Sequence, residues 1–199
     1  MENVFLIVGL GNPGADYAKT RHNAGFSLVE KLADQWRSPW SNQHKFQARV
    51  SRAERGGNIV LLAEPQTFMN ASGESVGALM RFYQLPPERM LIVVDDADLP
   101  LGEIRLRPRG GTGGHHGLES VMQHVGSRDY PRLRIGIGRQ DVLRQITGHV
   151  LGKFGAAELA LLKQVLDRAA SQLECWLDAG IQKAMSQFNG VISPKNEEK

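Results

Sequence analysis

"VFLIVGLGNPG", residues 4 to 14, decides how the rest of the chain is read. Its first seven residues form an unbroken apolar run, the pattern of a strand buried on both faces of a parallel sheet. Gly9, Gly11 and Gly14 then fit G-x-G-x-x-G, a dinucleotide fingerprint. That fingerprint needs glycines that open a helix at once and a second strand that ends in an acidic residue. Here Pro13 and a polar stretch to Arg21 delay the helix, and no suitably placed strand end carries Asp or Glu. The run reads as the first strand of an α/β sheet whose loop is not a nucleotide cradle.

Working outward from it, Phe26, Val29, Leu32, Ala33 and Trp36 recur at helical spacing from Asn23 onward. Residues 46–65 read as two strands around Gly56-Gly57, a hairpin. Val76, Leu79, Met80 and Tyr83 mark a second helix, ended by Pro86-Pro87. "MLIVVDD" (90–96) is another buried-type strand, and 103–108 a short one with Arg105 and Arg107 on one face. A glycine-rich loop, 109–117, opens a third helix; 132–138 is a strand, and a long amphipathic helix over 156–178 precedes a shorter one. The expected fold is α/β: a single domain with a mixed twisted β-sheet and helices on both faces. The domain is expected to span 1–192, with a disordered tail at 193–199 that carries no apolar anchor.

The composition suits this. The 199 residues are 41% hydrophobic and 23% charged, with a formal net charge of +3. Such a balance permits an acidic partner without demanding one. The single cysteine, Cys175, excludes an internal disulfide framework, and it suits a reducing compartment. Cys175 reads as core beside Trp176. The apolar start is too short to span a bilayer and lacks a basic leader, so a cytoplasmic protein without membrane contact is expected.

Two other patterns point elsewhere. Gly73-Glu74-Ser75-Val76-Gly77 fits G-x-S-x-G, but Ser75 lies inside a helical pattern and not on a strand-to-helix elbow. His115-His116 with Asp95, Asp96 and Asp98 suggests metal, yet adjacent loop histidines project in different directions and no H-x-x-x-H pair exists. No metal is expected. The chemistry left is that of His, Asp and Asn. If the apolar strands are parallel neighbours, the loops after them meet at one sheet edge and gather Asn12, His22, Asn70, Asp95 and His115/His116. A loop histidine such as His22 is by itself more often structural than catalytic, and Asn70 could equally cap the second helix.

Four motifs in order settle the resemblance. They are Gly9 to Gly14 with Tyr17 and Thr20-Arg21-His22-Asn23; Thr67-Phe68-Met69-Asn70 with Ser72-Gly73; Asp95-Asp96 with Asp98-Leu99-Pro100 and Gly102; and Gly113-Gly114-His115 with Gly117-Leu118. The chain resembles the bacterial-type peptidyl-tRNA hydrolases over nearly its whole length. The resemblance implies a cofactor-free monomer with no obligate protein partner. It would cleave the ester between a peptide and the 3′ ribose of tRNA, recycling tRNA from aborted translation.

The same resemblance implies His22 as base, Asp95 as its orienter, and Asn12 and Asn70 as substrate and oxyanion ligands. Met69 and Tyr17 would line the cleft with His115 and His116, and Arg105 and Arg107 would meet acceptor-stem phosphates. "ITGHVLGKF" (146–154) resembles a lid over the cleft. The family pattern Gly-His-Asn-Gly is broken, since this chain reads Gly114-His115-His116-Gly117. An alternative function is a non-catalytic RNA-binding protein on the same fold, which would be expected to lose the base.

Overall fold

Two parallel neighbours enclose the run at 4–10. A computed structural model describes residues 3–138 and 150–192, and in it the run is β1 (Asn3–Gly9), paired in parallel with β4 (Asn58–Pro65) and β5 (Met90–Asp96). β5 pairs in parallel with β7 (Arg132–Gly136). Around these four buried strands the sheet turns antiparallel. β3 (Ala48–Arg55) and the short edge strand β2 (Trp40–Gln43) add on one side, β6 (Glu103–Arg107) and β8 (Gly190–Val191) on the other. The order is β2-β3-β4-β1-β5-β7-β6-β8, the mixed sheet expected. The β3–β4 hairpin turns on Gly56 and Gly57, both with positive φ, as a two-residue type I′ turn requires.

Alternation along β1 feeds two cores. Ile7 joins a cluster with α1 (Ala24–Gln35) and α4 (Ala156–Ala179), to which α5 (Ile181–Phe188) adds Ala184. Leu6 and Val8 face the opposite layer, built from α2 (Ser72–Tyr83) and α3 (His116–Val125). Helices therefore cover both faces.

The glycines of the first loop serve this packing. A Cβ on Gly9 would lie 2.2 Å from the carbonyl oxygen of Gly25, and one on Gly11 would lie 2.8 Å from the Phe26 ring. α1 can settle on β1 only because both side chains are absent, which is what the G-x-G spacing is for here. Gly73 works alike between α2 and α3: its Cβ would sit 2.0 Å from the Ser120 carbonyl oxygen. Ser75 beside it is buried within α2, so the apparent nucleophile elbow is a helix-crossing motif. Cys175 is half-buried on α4 against the core. The tail at 193–199 and residues 146–149 of the expected lid lie outside the described residues.

Candidate active site

Because β1 and β5 run parallel, the loops that leave them open at one edge of the sheet, the usual ligand position in such folds. The loop after β1 returns through a 3-10 turn, Arg21–Asn23, before α1 begins. The turn sets His22 over Asp95, the penultimate residue of β5. His22 Nδ1 lies 2.8 and 3.0 Å from the two Asp95 carboxylate oxygens.

Asp95 is only 2% exposed and has a second imidazole partner, His115, whose Nε2 is 3.0 Å from Oδ1. Burial alone would raise the carboxyl, but its partnership with His115, and then with His22, outweighs that and holds it well below the usual carboxylate range. An ionised Asp95 only accepts hydrogen bonds, so His22 Nδ1 and His115 Nε2 both donate. This fixes the His22 tautomer and leaves Nε2, with its lone pair, for the cleft.

His115 lines the same cleft, and both of its ring nitrogens are also engaged within the fold. Nδ1 accepts from the backbone N–H groups of Gly117 and Leu118 at 3.1 and 3.4 Å, so His115 is the N-cap of α3. His116, one residue on, points the other way: it is 76% exposed and 3.3 Å from Glu119.

His22, Asp95 and His115 offer ligand atoms within 4.8 Å of one another, a spacing a metal ion could bridge. The set that the sequence suggested and set aside, His115 and His116 with Asp95, Asp96 and Asp98, does not assemble among the described residues. The hydrogen bonds argue against a metal. A ligating histidine donates its other ring N–H, whereas the other nitrogen of His115 accepts two N–H bonds. Binding a metal through Nε2 would require an imidazolate. The set fits an ionised carboxylate that orients two imidazoles instead.

The two carboxamides differ in how they are held. Asn12 is buried, its Oδ1 accepting the Met69 N–H at 2.8 Å while Asn23 clamps its main chain from both sides. Its amide NH₂ has no partner among the described residues and borders the cleft. Asn70 is exposed in a 3-10 turn, Met69–Ala71, and makes no capping bond; α2 is preceded by Ala71, so the capping role is not taken. Both asparagines, His22 and Asp95 line one cleft of about 470 Å³.

Met69 lines the cleft and is otherwise core. Tyr17 does not line it. Phe68, 61% exposed, stands on the wall, and Tyr17 supports it edge-on with ring centroids 6.4 Å apart. Val150 and Leu151, from the described end of the expected lid, form an apolar wall.

A family model for peptidyl-tRNA hydrolase matches residues 6–199. The peptidyl-tRNA hydrolase of Thermosynechococcus vestitus is 48% identical over 195 residues, covering 95% of each chain. That of Brevibacillus brevis is 42% identical over 186 residues, covering 94% of this chain and 98% of its own. The crystal structure of peptidyl-tRNA hydrolase from Acinetobacter baumannii superposes with a TM-score of 0.90 at 43% identity, over 96% of this chain and 97% of that one. The chain belongs to the peptidyl-tRNA hydrolase family.

Beside the cleft, arginines form a pattern that the sequence only half disclosed. Arg105 and Arg107 lie on β6, directly across from Arg134 and Arg132 of β7, so all four share one face. They do not serve alike. Arg132 is 1% exposed and donates to the carbonyls of Gly110, Gly111 and Arg128. Arg134 bonds Asp96 at 3.1 Å and the carbonyls of Gly111 and Thr112. The inner pair thus pins the glycine-rich loop, and Arg134 also borders the cleft. Of the outer pair, Arg105 bonds Glu103 at 2.9 Å and Arg107 is exposed. The R-x-R of 132–134 repeats that of 105–107, and only the strand register could have joined them.

Proposed function

We propose that the chain performs the hydrolysis for which its family is named with His22 as general base and without a covalent intermediate. Nε2 of His22 takes a proton from water as the hydroxide oxygen bonds to the carbonyl carbon of the ester. Asp95 holds the ring through Nδ1 and stabilises the imidazolium that forms. The carbonyl oxygen becomes an oxyanion that accepts from the Asn70 amide, and the anchored amide of Asn12 holds the substrate beside it. Collapse breaks the bond to the 3′ ribose oxygen, which takes the proton back from His22. Ester and water thus give a free peptide acid and a tRNA 3′-hydroxyl, and the site is restored.

The observation that carries this reading is the His22–Asp95 pair opening onto a cleft flanked by two asparagines. Met69 and Phe68 would hold the aminoacyl end, with Tyr17 supporting Phe68 and His116 at the rim. His115, which lines the cleft and holds Asp95, would meet the substrate beside them. Arg107, with Arg105 beside it, would bind acceptor-stem phosphates, since guanidinium suits phosphate oxygens. No described helix is long and apolar enough to cross a membrane, and we place the reaction in the cytoplasm, where peptidyl-tRNA arises.

The test is release of free tRNA from N-acetylated aminoacyl-tRNA by the wild type and His22→Ala, with unblocked aminoacyl-tRNA alongside. Cleavage of the blocked ester alone, lost by roughly 10²–10⁴-fold in the variant, is expected. Full activity without His22 would overturn the mechanism. Binding without cleavage by the wild type would make the chain an RNA-binding protein.

A further inference from the structure

We infer that Arg21 and Glu158 form a clasp that positions the apolar wall of the cleft, Val150 and Leu151, against the turn that carries His22. This rests on the hydrolase reading of the cleft. Arg21, one residue before the base, is only 4% exposed. Its Nη2 donates to both carboxylate oxygens of Glu158, at 2.9 and 2.7 Å. Nη1 donates to the Lys153 carbonyl, and the guanidinium lies 5.0 Å from the centroid of the Phe154 ring. The backbone joins in: the Arg21 N–H donates to the Gly152 carbonyl at 3.0 Å, and Thr20 pairs with Lys153 as an antiparallel bridge.

Glu158 closes the other end. It sits in the first turn of α4, and its Oε2 also accepts the Gly155 N–H at 2.6 Å. The stretch from Gly152 to Glu158 is therefore fixed at several points to the residue preceding the base. The pair is only half-buried, with Glu158 34% exposed, and an ion pair of that kind adds little stability by itself. What a planar guanidinium supplies, with Nη2 on the carboxylate and Nη1 on a carbonyl, is direction. Here that direction sets where the residues just before Gly152 stand. Leu151 remains 41% exposed although apolar, at the mouth of the cleft. Arg21 and Glu158 touch no reacting atom; they are positioning residues.

The variant that isolates the clasp is Glu158→Gln. Glutamine can still cap the first turn of α4, but it no longer offers Arg21 a charged, two-oxygen acceptor. The expected result is a KM for N-acetylated aminoacyl-tRNA raised by about 3–10-fold, the size of effect one lost charged contact gives. The kcat and its pH profile stay as in the wild type, because the His22–Asp95 pair is untouched. Leu151→Ala should raise KM similarly, and the double variant should be no worse than the poorer single one, as for groups acting through one element. A second readout needs no substrate: amide hydrogen exchange across 150–155 should accelerate in Glu158→Gln and not in Leu151→Ala. Unchanged exchange in Glu158→Gln, or KM effects that multiply, would overturn the clasp. A wild type that fails to cleave would sink the hydrolase reading, while exchange would still decide the clasp.

Discussion

Asp95 and Glu64 occupy matching places. Each is the penultimate residue of a strand that flanks β1, β5 for one and β4 for the other, and each is almost wholly buried. Their protonation states are opposite. Asp95 meets two imidazoles that donate to it and stays ionised. Glu64 meets another carboxyl, Glu30 of α1, with Arg49 2.9 Å away on the neighbouring strand. Burial first, then the charge of Glu30, push its carboxyl up to about 8 against the pull of Arg49. Burial acts on both carboxyls in the same direction, so the partners make the difference. At the cleft the sheet holds a fixed negative charge; two strands away it holds a proton.

Asp95→Asn breaks the comparison where the effect is largest. The carboxamide keeps the volume but can accept from one imidazole only while turning its NH₂ toward the other. His22 would then be driven toward the tautomer with Nε2 protonated, which cannot take a proton from water. We expect kcat to fall by about 10²–10⁴-fold while the far-ultraviolet circular dichroism is retained, measured by single-turnover tRNA release. A variant within tenfold of the wild type would show that the carboxylate does not set the His22 tautomer.

Glu64→Gln probes the other half, and here the sign matters. An ordinary glutamate value is 4.5, and in the folded chain Glu64 sits at about 8. The folded state thus holds this proton more tightly than the unfolded one. Its contribution to stability is full below about pH 4.5, declines as pH rises toward 8, and changes no further above that. Glutamine does not titrate. The variant should match the wild type near pH 5 and exceed it near pH 8.5 by roughly 1–3 kcal/mol, read as a higher Tm. Parallel Tm–pH curves for the two proteins would show that Glu64 is not the group responsible.

That contrast also marks what could be read from the chain alone. Parallel strands and their helices announce themselves through apolar runs and periodicity, so β1, β5 and the helices were legible; the pairing of His22 with Asp95 came from the family resemblance. The edge strands were not: Trp40–Gln43 and Gly190–Val191 are short, half-exposed and without alternation, and only pairing makes them strands. His115 could be named but not its task, because the capping bonds to Gly117 and Leu118 depend on how the glycine-rich loop folds. The Arg132 and Arg134 roles, and the carboxyl pair at Glu64, follow from cross-strand register and helix placement. Neither leaves a mark in a local window of sequence.

His116→Asn sharpens the picture with the smallest effect. His116 stands at the position where the family pattern carries asparagine, exposed at the cleft rim, with Nδ1 3.3 Å from Glu119. Unlike His115 it is held by nothing buried, so its exchange should leave Asp95, His22 and the cap of α3 as they are. An imidazole offers a single hydrogen bond at each nitrogen; a carboxamide offers donor and acceptor together on one planar group. The variant should therefore lower KM by about 2–5-fold at neutral pH, the scale of one solvent-exposed hydrogen bond, with kcat unchanged. Steady-state measurements at neutral pH suffice. If KM is unmoved, the rim position does not contact substrate, and recognition in this cleft falls to Asn12, Asn70, Met69 and the walls made by Phe68 and by Val150 and Leu151.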